Sequence, residues 1–266
     1  MHPAPYIKWP QTNRSMSRRI HFFFVEGVIG AGKSTFLNRV VPLLYNRGIR
    51  NVVIVPEPLH LWTNVDGMNL LQLFYENQRR WAFTFQVHAM STRITVVREA
   101  IQRHIDEITD DNNDDIVVVC ERSVFTDRHV FVETLVADGI MSEIERAAYV
   151  RAYEYFGAHD YHGNHAGVIY LRSLPKTCAE HMRIRDRIEE ASVPLTYLEK
   201  LHIQHELAIA DTTTWNGASS RLILNVESIG RIHDDDDAAN KCADQLFAFI
   251  TKAMQMTKDT RRRQQQ

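Results

Sequence analysis

Residues 20–35 constrain the fold of this chain more than any other stretch. Residues 20–25 are apolar or aromatic with one exception, as expected of a buried β-strand. They lead into Gly27-x-x-x-x-Gly32-Lys33-Ser34, which has the spacing of a phosphate-binding loop. Glycine allows the backbone to curl so tightly that successive N–H groups converge on a polyphosphate. The stretch therefore predicts a strand, a loop that binds a purine nucleoside triphosphate, and a helix after the loop.

Individual residues of this loop have distinct predicted roles. Lys33 offers a point charge to the terminal phosphates, and Ser34 offers a hydroxyl oxygen to Mg²⁺. A helix over residues 34–46 would add the positive end of its dipole. A glycine-rich turn with an incidental lysine is the alternative interpretation. The predicted phosphate-binding residues of the loop are Gly27, Gly30, Ala31, Gly32, Lys33, Ser34 and Thr35.

Composition and charge narrow the class of protein. Of the 266 residues, 44% are hydrophobic and 24% are charged, which is typical of a globular enzyme. The formal charge of −2 gives no general attraction to nucleic acid or to an anionic membrane, so we expect neither as a partner. Cys120, Cys178 and Cys242 are far apart in the sequence, which predicts neither a disulfide framework nor a zinc site.

The two ends of the chain differ from the part between them. Residues 1–19 are rich in proline and basic residues and contain no acidic one, and we expect a disordered leader rather than a transit peptide. Residues 257–266 suggest a disordered basic tail, with a nuclear-localisation signal as the alternative. Residues 20–256 show neither an internal repeat nor a linker. With no membrane-length apolar run and no signal-peptide core, we expect an intracellular protein in the cytoplasm, with the nucleus and the mitochondrion as alternatives.

Strand-like apolar runs alternate with helical patterns along the whole domain. This alternation predicts the α/β class, with a five-stranded parallel sheet covered by helices on both faces. The four strands after the first are predicted at residues 51–55, 116–119, 167–171 and 221–226. The helices are predicted at about residues 34–46, 69–108, 123–137, 142–158, 175–190, 194–213 and 236–256.

Charged residues follow two of these strands directly. Glu57 lies between two prolines after the second strand, which hold its backbone extended at the sheet edge where ligands bind in open α/β folds. A solvated loop acid is the alternative. Glu121 and Arg122 end the third strand. Glu121 is placed to hold Mg²⁺ together with Ser34, and Arg122 is placed beside developing phosphate charge.

Further charged and polar residues lie on the predicted helices. Gln86 and Arg93 are seven residues apart, so they lie on one helical face and can point at the same object. Asp127 follows the third strand by one and a half helical turns. Three arginines between residues 183 and 187 can close over a polyphosphate as a lid, with a solvated charged helix as the alternative.

Several motifs together resemble the deoxyribonucleoside kinase family, and the deoxycytidine- and purine-directed members are closest in pattern. The resemblance covers residues 20–250 in the right order and spacing. The motifs are the phosphate loop at 26–36, Val55-Pro-Glu-Pro58 with Trp62, Arg80-Trp-Ala-Phe-Thr-Phe-Gln86, Glu121-Arg-Ser-Val-Phe-Thr-Asp-Arg128 and Pro194-Leu-Thr-Tyr-Leu-Glu-Lys-Leu-His202.

The resemblance implies a P-loop kinase fold with a helical lid at about residues 181–191. It also implies a homodimer joined through helices. The implied reaction is transfer of the γ-phosphate of ATP, or of another nucleoside triphosphate, to the 5′-hydroxyl of a deoxynucleoside, with Mg²⁺ as cofactor.

The resemblance also implies roles for individual residues. Glu57 matches the catalytic base that takes the proton of the 5′-hydroxyl, and Arg122 matches the arginine near the 5′-oxygen. Glu121 and Ser34 match the Mg²⁺ ligands. Arg185 and Arg187 match two lid arginines that bind phosphate. The implied substrate-binding residues are Trp62 and Phe131 against the base, Gln86 on the base edge, Tyr75 and Glu190 on the 3′-hydroxyl, and Ala89, Arg93 and Asp127 for base specificity.

Base preference depends on Ala89, Arg93 and Asp127. Deoxycytidine- and purine-directed members of the family have a small residue, an arginine and an aspartate at these places, whereas thymidine-directed members usually have apolar ones. A carboxylate at Asp127, paired with Arg93, accepts a hydrogen bond from an exocyclic amine, whereas thymine offers a carbonyl there. We therefore expect deoxycytidine, with deoxyadenosine or deoxyguanosine as further substrates, to be preferred over thymidine.

The chain departs from the family pattern in two places. His181 occupies the position of the first lid arginine, and residues 225–230 differ from the acidic, aromatic loop that usually contacts the donor base. The preference for ATP or UTP therefore stays open. The rival interpretations are a thymidine-directed kinase of the same family, a nucleoside monophosphate kinase and a nucleotide-binding protein without catalytic activity.

Overall fold

A computed structural model describes residues 19–108, 114–156, 165–211 and 220–264. Its strands are β1 (Ile20–Glu26), β2 (Val52–Val55), β3 (Ile116–Glu121), β4 (His165–Arg172) and β5 (Arg221–Asn225). They pair in parallel, in the order β2-β3-β1-β4-β5. The predicted five-stranded parallel sheet of an α/β protein is confirmed.

Helices connect these strands. They are α1 (Lys33–Arg39), α2 (His60–Thr63), α3 (Leu70–Glu76), α4 (Gln78–Glu107), α5 (Val124–Thr126), α6 (Glu133–Ala137), α7 (Glu143–Phe156), α8 (Pro175–Arg185), α9 (Leu195–Ala210), α10 (Val226–Ile229) and α11 (Asp236–Gln264). Two 3₁₀ segments cover Val41–Arg47 and Ile188–Glu190, and a π-helical turn covers Asp127–Val132.

The core lies on both sides of the central strands. Residues 22–25 of β1 and 116–119 of β3 are at most 1% exposed. Adjacent residues of a strand point to opposite faces. Phe23 packs its ring against Phe249 of α11, at 5.8 Å between ring centroids, and Phe24 packs against Phe125 of α5, at 6.0 Å. Helices therefore cover both faces of the sheet, which explains why residues 22–25 and 116–119 are all apolar.

The strand order brings the predicted site residues to one edge of the sheet. Val25 in β1 pairs with Glu121 in β3, and Val55 in β2 pairs with Cys120. Because all three strands are parallel, the segments that follow them leave the sheet at the same edge. These segments are the phosphate loop, the loop with Glu57 and the turn with Arg122.

Several of the predicted helices are divided or end earlier than expected. The helix expected over residues 69–108 breaks at Asn77, whose side chain accepts a hydrogen bond from the backbone N–H of Arg80 and caps α4. The helix expected over residues 34–46 ends at Arg39, and a 3₁₀ segment with proline near its start follows. In the lid, Asp186 has a φ of 52°, so α8 ends at Arg185 and does not continue to Glu190 as expected.

The C-terminal end differs from the expected tail. Helix α11 continues to Gln264, so residues 257–264 are helical and the expectation of a disordered tail is wrong for them. Nζ of Lys258 in this helix lies 3.2 Å from Oδ2 of Asp115, which precedes β3. Residues 1–18 of the expected leader and 109–113 of the acidic loop lie outside the described residues. No helix in the described ranges is long and apolar enough to cross a bilayer.

Candidate active site

The phosphate loop joins β1 to α1 in a conformation that requires glycine. Gly27 has a φ of 151° and Gly30 a φ of 84°. A Cβ at Gly27 would lie 2.7 Å from the carbonyl oxygen of Leu171, and one at Gly30 would collide with the carbonyl of Cys178. The loop therefore curls directly against β4 and α8, and α1 begins at its end with Lys33.

The lysine of the loop is buried against the loop itself. Lys33 Nζ donates to the carbonyl oxygens of Gly27, at 3.2 Å, and of Val28, at 3.0 Å. Burial, together with the positive charge of Arg122, lowers the pKa of Lys33 to about 8. The amine is still mostly protonated at neutral pH, so it can offer positive charge to a phosphate beside the loop.

Two oxygen-bearing side chains meet where α1 begins and β3 ends. Ser34 Oγ donates to Glu121 Oε1 at 2.9 Å, although the two residues are 87 positions apart. Mg²⁺ binds hard oxygen ligands and takes few of them from protein when phosphate supplies others. In the described ranges, no group of three or more His, Cys, Asp or Glu residues could hold a metal alone. The hydroxyl–carboxylate pair therefore fits an ion that also binds phosphate.

Glu57 lies between two arginines. Its Oε1 is 3.1 Å from an Nη atom of Arg93 and 3.2 Å from Nε of Arg122. Burial acts to raise the pKa of Glu57, but Arg122 and Arg93 outweigh it and hold the pKa below its ordinary value. Glu57 is therefore an ionised, nearly buried carboxylate, the form that can accept a proton.

Arg122 adopts an uncommon backbone conformation. Its φ is 63°, in the left-handed region that residues other than glycine rarely adopt. Its guanidinium donates to the carbonyl oxygen of Gly27 at 2.8 Å and lies 5.0 Å from the ring centroid of Phe131. These contacts aim a fixed positive charge at the space between the phosphate loop and Glu57.

Arg93 and Asp127 form a bidentate pair. Arg93 donates to Asp127 at 2.9 and 3.2 Å, and to the backbone oxygen of Glu121 at 3.0 Å. Burial acts to lower the pKa of Arg93, but Asp127 and Glu57 outweigh it, so the guanidinium stays charged. Asp127 begins the π-helical turn, a distortion that often occurs at functional sites. Arg93 thus contacts Glu57 and Asp127 at the same time.

Aromatic side chains form the apolar wall of the site. Trp62 donates from Nε1 to the Thr92 hydroxyl at 2.9 Å and packs edge-on against Phe85, at 5.5 Å between ring centroids. Phe74 stacks on Phe85 at 4.7 Å. The Gln86 side chain is nearly buried and makes no hydrogen bond to another described residue. A flat apolar slot with one free amide is suited to a heteroaromatic ring with a polar edge.

The lid residues point into the same space. Glu190 accepts hydrogen bonds from Arg185 and from Arg187, the latter at 3.3 Å, and it is 8% exposed. His181 donates from Nδ1 to the carbonyl oxygen of Gly30 at 2.8 Å, so α8 is attached directly to the phosphate loop. The residue expected to depart from the family pattern therefore binds the loop backbone in this structure.

Most of the predicted site residues line one cavity. Of the predicted residues it is lined by Gly30, Lys33, Glu57, Trp62, Tyr75, Gln86, Ala89, Arg93, Glu121, Arg122, Asp127, Phe131, Arg185, Arg187 and Glu190. Gly27, Ala31, Gly32, Ser34 and Thr35 are not part of this lining, and Ser34 reaches it only through Glu121. Sequence reasoning missed Ile29, Leu59, Leu71, Phe74 and Phe85 as lining residues. Leu71, Phe74 and Phe85 lie on α3 and α4 with a helical spacing typical of core positions, so no signal separated them from the core. Ile29 and Leu59 are apolar residues outside regular helical patterns.

Comparisons with known proteins point to one family. Residues 23–251 match the family model of deoxynucleoside kinases. Deoxycytidine kinase 1 of Xenopus laevis is 35% identical over 216 residues, which are 74% of this chain and 76% of the relative. Deoxycytidine kinase of Homo sapiens is 34% identical, with 72% and 76% covered. Mitochondrial deoxyguanosine kinase of Xenopus laevis is 30% identical, with 85% and 88% covered. The chain therefore belongs to the deoxynucleoside kinase family and is an enzyme that transfers phosphate from a nucleoside triphosphate to a deoxynucleoside.

Proposed function

We propose that this kinase phosphorylates the 5′-hydroxyl of deoxycytidine, with deoxyadenosine or deoxyguanosine as further substrates, and uses ATP or another nucleoside triphosphate as donor. The observation that carries the proposal is the Glu57–Arg93–Asp127 array beside the phosphate loop. The guanidinium of Arg93 links Glu57, the carboxylate assigned to proton transfer, with Asp127, the carboxylate assigned to recognition of the nucleobase.

Glu57 acts as the general base of the reaction. Phosphoryl transfer depends mainly on in-line positioning and charge neutralisation, and a carboxylate that accepts the proton of the hydroxyl completes the nucleophile. Its pKa, held below the ordinary value, keeps Glu57 ionised at neutral pH. A 5′-hydroxyl within hydrogen-bond reach of Glu57 would donate its proton to Oε1 or Oε2 as the phosphoryl group arrives.

Positive charge around the loop stabilises the transferred group. Arg122 and Lys33 are fixed to loop carbonyls, so their charges need little reorganisation during the reaction. Arg185 and Arg187 are the lid charges that bind donor phosphate. Ser34 and Glu121 would hold Mg²⁺, which when bound neutralises phosphate charge and orients the donor.

The remaining cavity residues bind the nucleoside. Tyr75 and Glu190 hold the 3′-hydroxyl, and an unsubstituted 2′ carbon packs beside them. Gln86 pairs with the base edge, Ala89 leaves room for the ring, and Trp62 and Phe131 enclose it. Apolar and aromatic side chains bury most of such a ring, while a few polar groups fix its orientation.

Asp127 sets the base preference. Arg93 already satisfies it in a bidentate pair, and its remaining lone pairs accept a hydrogen bond from an exocyclic amine. A thymine carbonyl at this point would face an acceptor and leave buried polar groups unpaired, which is the strong form of discrimination.

Turnover of four deoxynucleosides tests the base preference. With saturating ATP and Mg²⁺, we expect kcat/KM for deoxycytidine, or for a deoxypurine nucleoside, to exceed that for thymidine by at least about 100-fold. Deoxycytidine monophosphate is included as a fifth acceptor. Clear preference for thymidine would establish the thymidine-directed alternative, and phosphorylation of the monophosphate alone would establish a nucleoside monophosphate kinase.

The metal site has its own test. We expect Glu121→Gln to raise the Mg²⁺ concentration needed for half-maximal activity by about tenfold or more, because it replaces a charged carboxylate at the site with a neutral amide. Excess EDTA should abolish turnover by the unsubstituted enzyme. Glu189→Gln, a lid variant whose carboxylate bonds Asn69, is the control and should keep the normal Mg²⁺ requirement. An unchanged requirement in Glu121→Gln would remove Glu121 from the metal site.

Observations on the site disfavour the other rivals. A nucleoside monophosphate kinase needs basic side chains for the phosphate of its acceptor, but Arg93 and Arg122 beside Glu57 are already paired with that carboxylate. The neighbouring cavity wall is formed by Leu59 and Trp62. A non-catalytic nucleotide-binding protein has no need of an ionised carboxylate between two arginines.

We also propose that the protein forms a homodimer, for which Ile144, Tyr155 and Phe156 of α7 offer exposed apolar surface.

A further inference from the structure

Glu26 is a buried carboxylate that the proposed mechanism does not use. It is the last residue of β1, directly before the phosphate loop, and it is 0% exposed. It is fully buried and lies outside the cavity lining, so its side chain presents no surface to substrate. Its Oε1 accepts a hydrogen bond from Ser123 Oγ at 2.6 Å. Burial raises the pKa of Glu26 to about 7. Burial of a carboxylate costs free energy of folding, so we expect Glu26 to have a role that offsets this cost.

The hydrogen bond to Glu26 determines which further hydrogen bond the Ser123 hydroxyl group can make. A serine hydroxyl has one proton to donate, and here that proton goes to Glu26. The oxygen is then free to accept the backbone N–H of Thr126 at 3.2 Å, which caps α5. Glu26 therefore fixes the rotamer of Ser123 and the start of the helix that follows it.

Ser123 directly follows Arg122, whose left-handed backbone conformation persists only if its surroundings hold it. The backbone N–H of Arg122 donates to the carbonyl oxygen of Val25 at 3.0 Å, and its guanidinium donates to that of Gly27 at 2.8 Å. Three successive residues, Val25, Glu26 and Gly27, thus hold Arg122 and Ser123 at three points. Glu26 is the only one of the three that does so through its side chain.

We propose that Glu26 is a positioning residue for Arg122. By anchoring Ser123, it holds the strained residue before it and sets where the guanidinium stands relative to Glu57 and the transferred phosphate. The inference rests on the role proposed above for Arg122. A displacement of about 1 Å in such a group can cost about 100-fold in rate, so a residue that never meets substrate can still control kcat.

The test compares two substitutions of Glu26 at saturating ATP, Mg²⁺ and deoxynucleoside. Glu26→Leu removes the acceptor, and we expect kcat to fall about 10- to 100-fold while the KM values for both substrates change by less than about threefold. Glu26→Gln keeps an acceptor oxygen for Ser123, so it should recover kcat to within about threefold of the unsubstituted enzyme. Loss of kcat in the Gln variant equal to that in the Leu variant would overturn the proposal.

A double-variant comparison separates positioning from general destabilisation. If Glu26 acts through Arg122, Glu26→Leu should cost no further kcat in an Arg122→Ala background, although it should lower Tm equally in both backgrounds. An additive loss of kcat would overturn the proposal. Thr134→Val is the matched control, because Thr134 is also buried and donates one side-chain hydrogen bond, to the carbonyl of Val130 at 2.6 Å. It should lower Tm and leave kcat unchanged.

Two further results keep the test decisive. If Glu26→Leu does not fold, Ser123→Ala removes the same hydrogen bond from the other side and must show the same selective loss of kcat, or the proposal fails. If the unsubstituted enzyme phosphorylates deoxynucleosides but Glu26→Leu retains full kcat, the positioning role fails and the proposed function stands. Absence of activity in the unsubstituted enzyme would count against the proposed function itself.

Discussion

Glu57→Gln is expected to lower kcat by about 100- to 10,000-fold, the range in which general bases contribute to catalysis. Glutamine keeps a hydrogen-bond acceptor for Arg93 and Arg122 but cannot take the proton of the 5′-hydroxyl. Because the pKa of Glu57 lies below its ordinary value, the unsubstituted enzyme has its base ionised at neutral pH, and the loss measures removal of that base. Steady-state kinetics with deoxycytidine, together with ATP titration by calorimetry, checks this.

Binding of ATP should change little in this variant, since the phosphate loop contacts neither Oε1 nor Oε2 of Glu57. Glu76→Gln, on the exposed end of α3, is the control and should keep normal kcat. Near-normal turnover by Glu57→Gln would show that another group accepts the proton. A parallel loss of ATP affinity would mean that the substitution disturbs the loop.

The double substitution Arg93→Met with Asp127→Ala should reverse base preference. It removes the acceptor that rejects the thymine carbonyl and leaves no buried charge unpaired. We expect kcat/KM for deoxycytidine to fall by at least about 100-fold and that for thymidine to rise, as measured by competition between the two nucleosides. Asp127→Ala alone should be less stable than the double variant. It leaves the guanidinium of Arg93 buried without its two hydrogen bonds to Asp127, and breaking a buried pair costs about 3–5 kcal/mol of stability.

A second arginine–carboxylate pair, Arg146 with Glu133, provides the control for this double substitution. Arg146 donates to Glu133 in the same bidentate manner, at 2.8 to 3.1 Å, but the pair is partly exposed and outside the cavity. Arg146→Met with Glu133→Ala should leave base preference unchanged. If the cavity variant still prefers deoxycytidine by its original ratio, Asp127 does not read the base.

Local sequence patterns predicted much of the fold. Apolar runs bounded by polar residues located all five strands, because a central parallel strand is apolar on both faces. Glycine spacing located the phosphate loop for an equally local reason. Helix ends were less predictable. The break at Asn77 depends on a side-chain cap, and the end of α8 depends on a left-handed Asp186, neither of which interrupts the helical pattern of the sequence.

The candidate site was predictable residue by residue but not as an arrangement. The prolines around Glu57 and the strand before Arg122 identify both as residues of the sheet edge. Nothing in the sequence indicates that Glu57 lies between two arginines, or that the core residues Phe74 and Phe85 also line a cavity. The buried Glu26 went unnoticed as well, since an acidic residue before a glycine loop looks like an ordinary strand end.

The sequence by itself determined the elements of this protein: the strands, the tight glycine loop between β1 and α1, and the chemical type of each residue near it. These depend on contacts between neighbours in the chain, so periodicity and glycine spacing record them. The tertiary structure alone decided which charges meet. Arg93 reaches Glu57 across 36 positions and Asp127 across 34, and Ser123 reaches Glu26 across 97. Such pairs form only once the strand order and helix packing are set, because the burial that makes each pair strong comes from the rest of the fold.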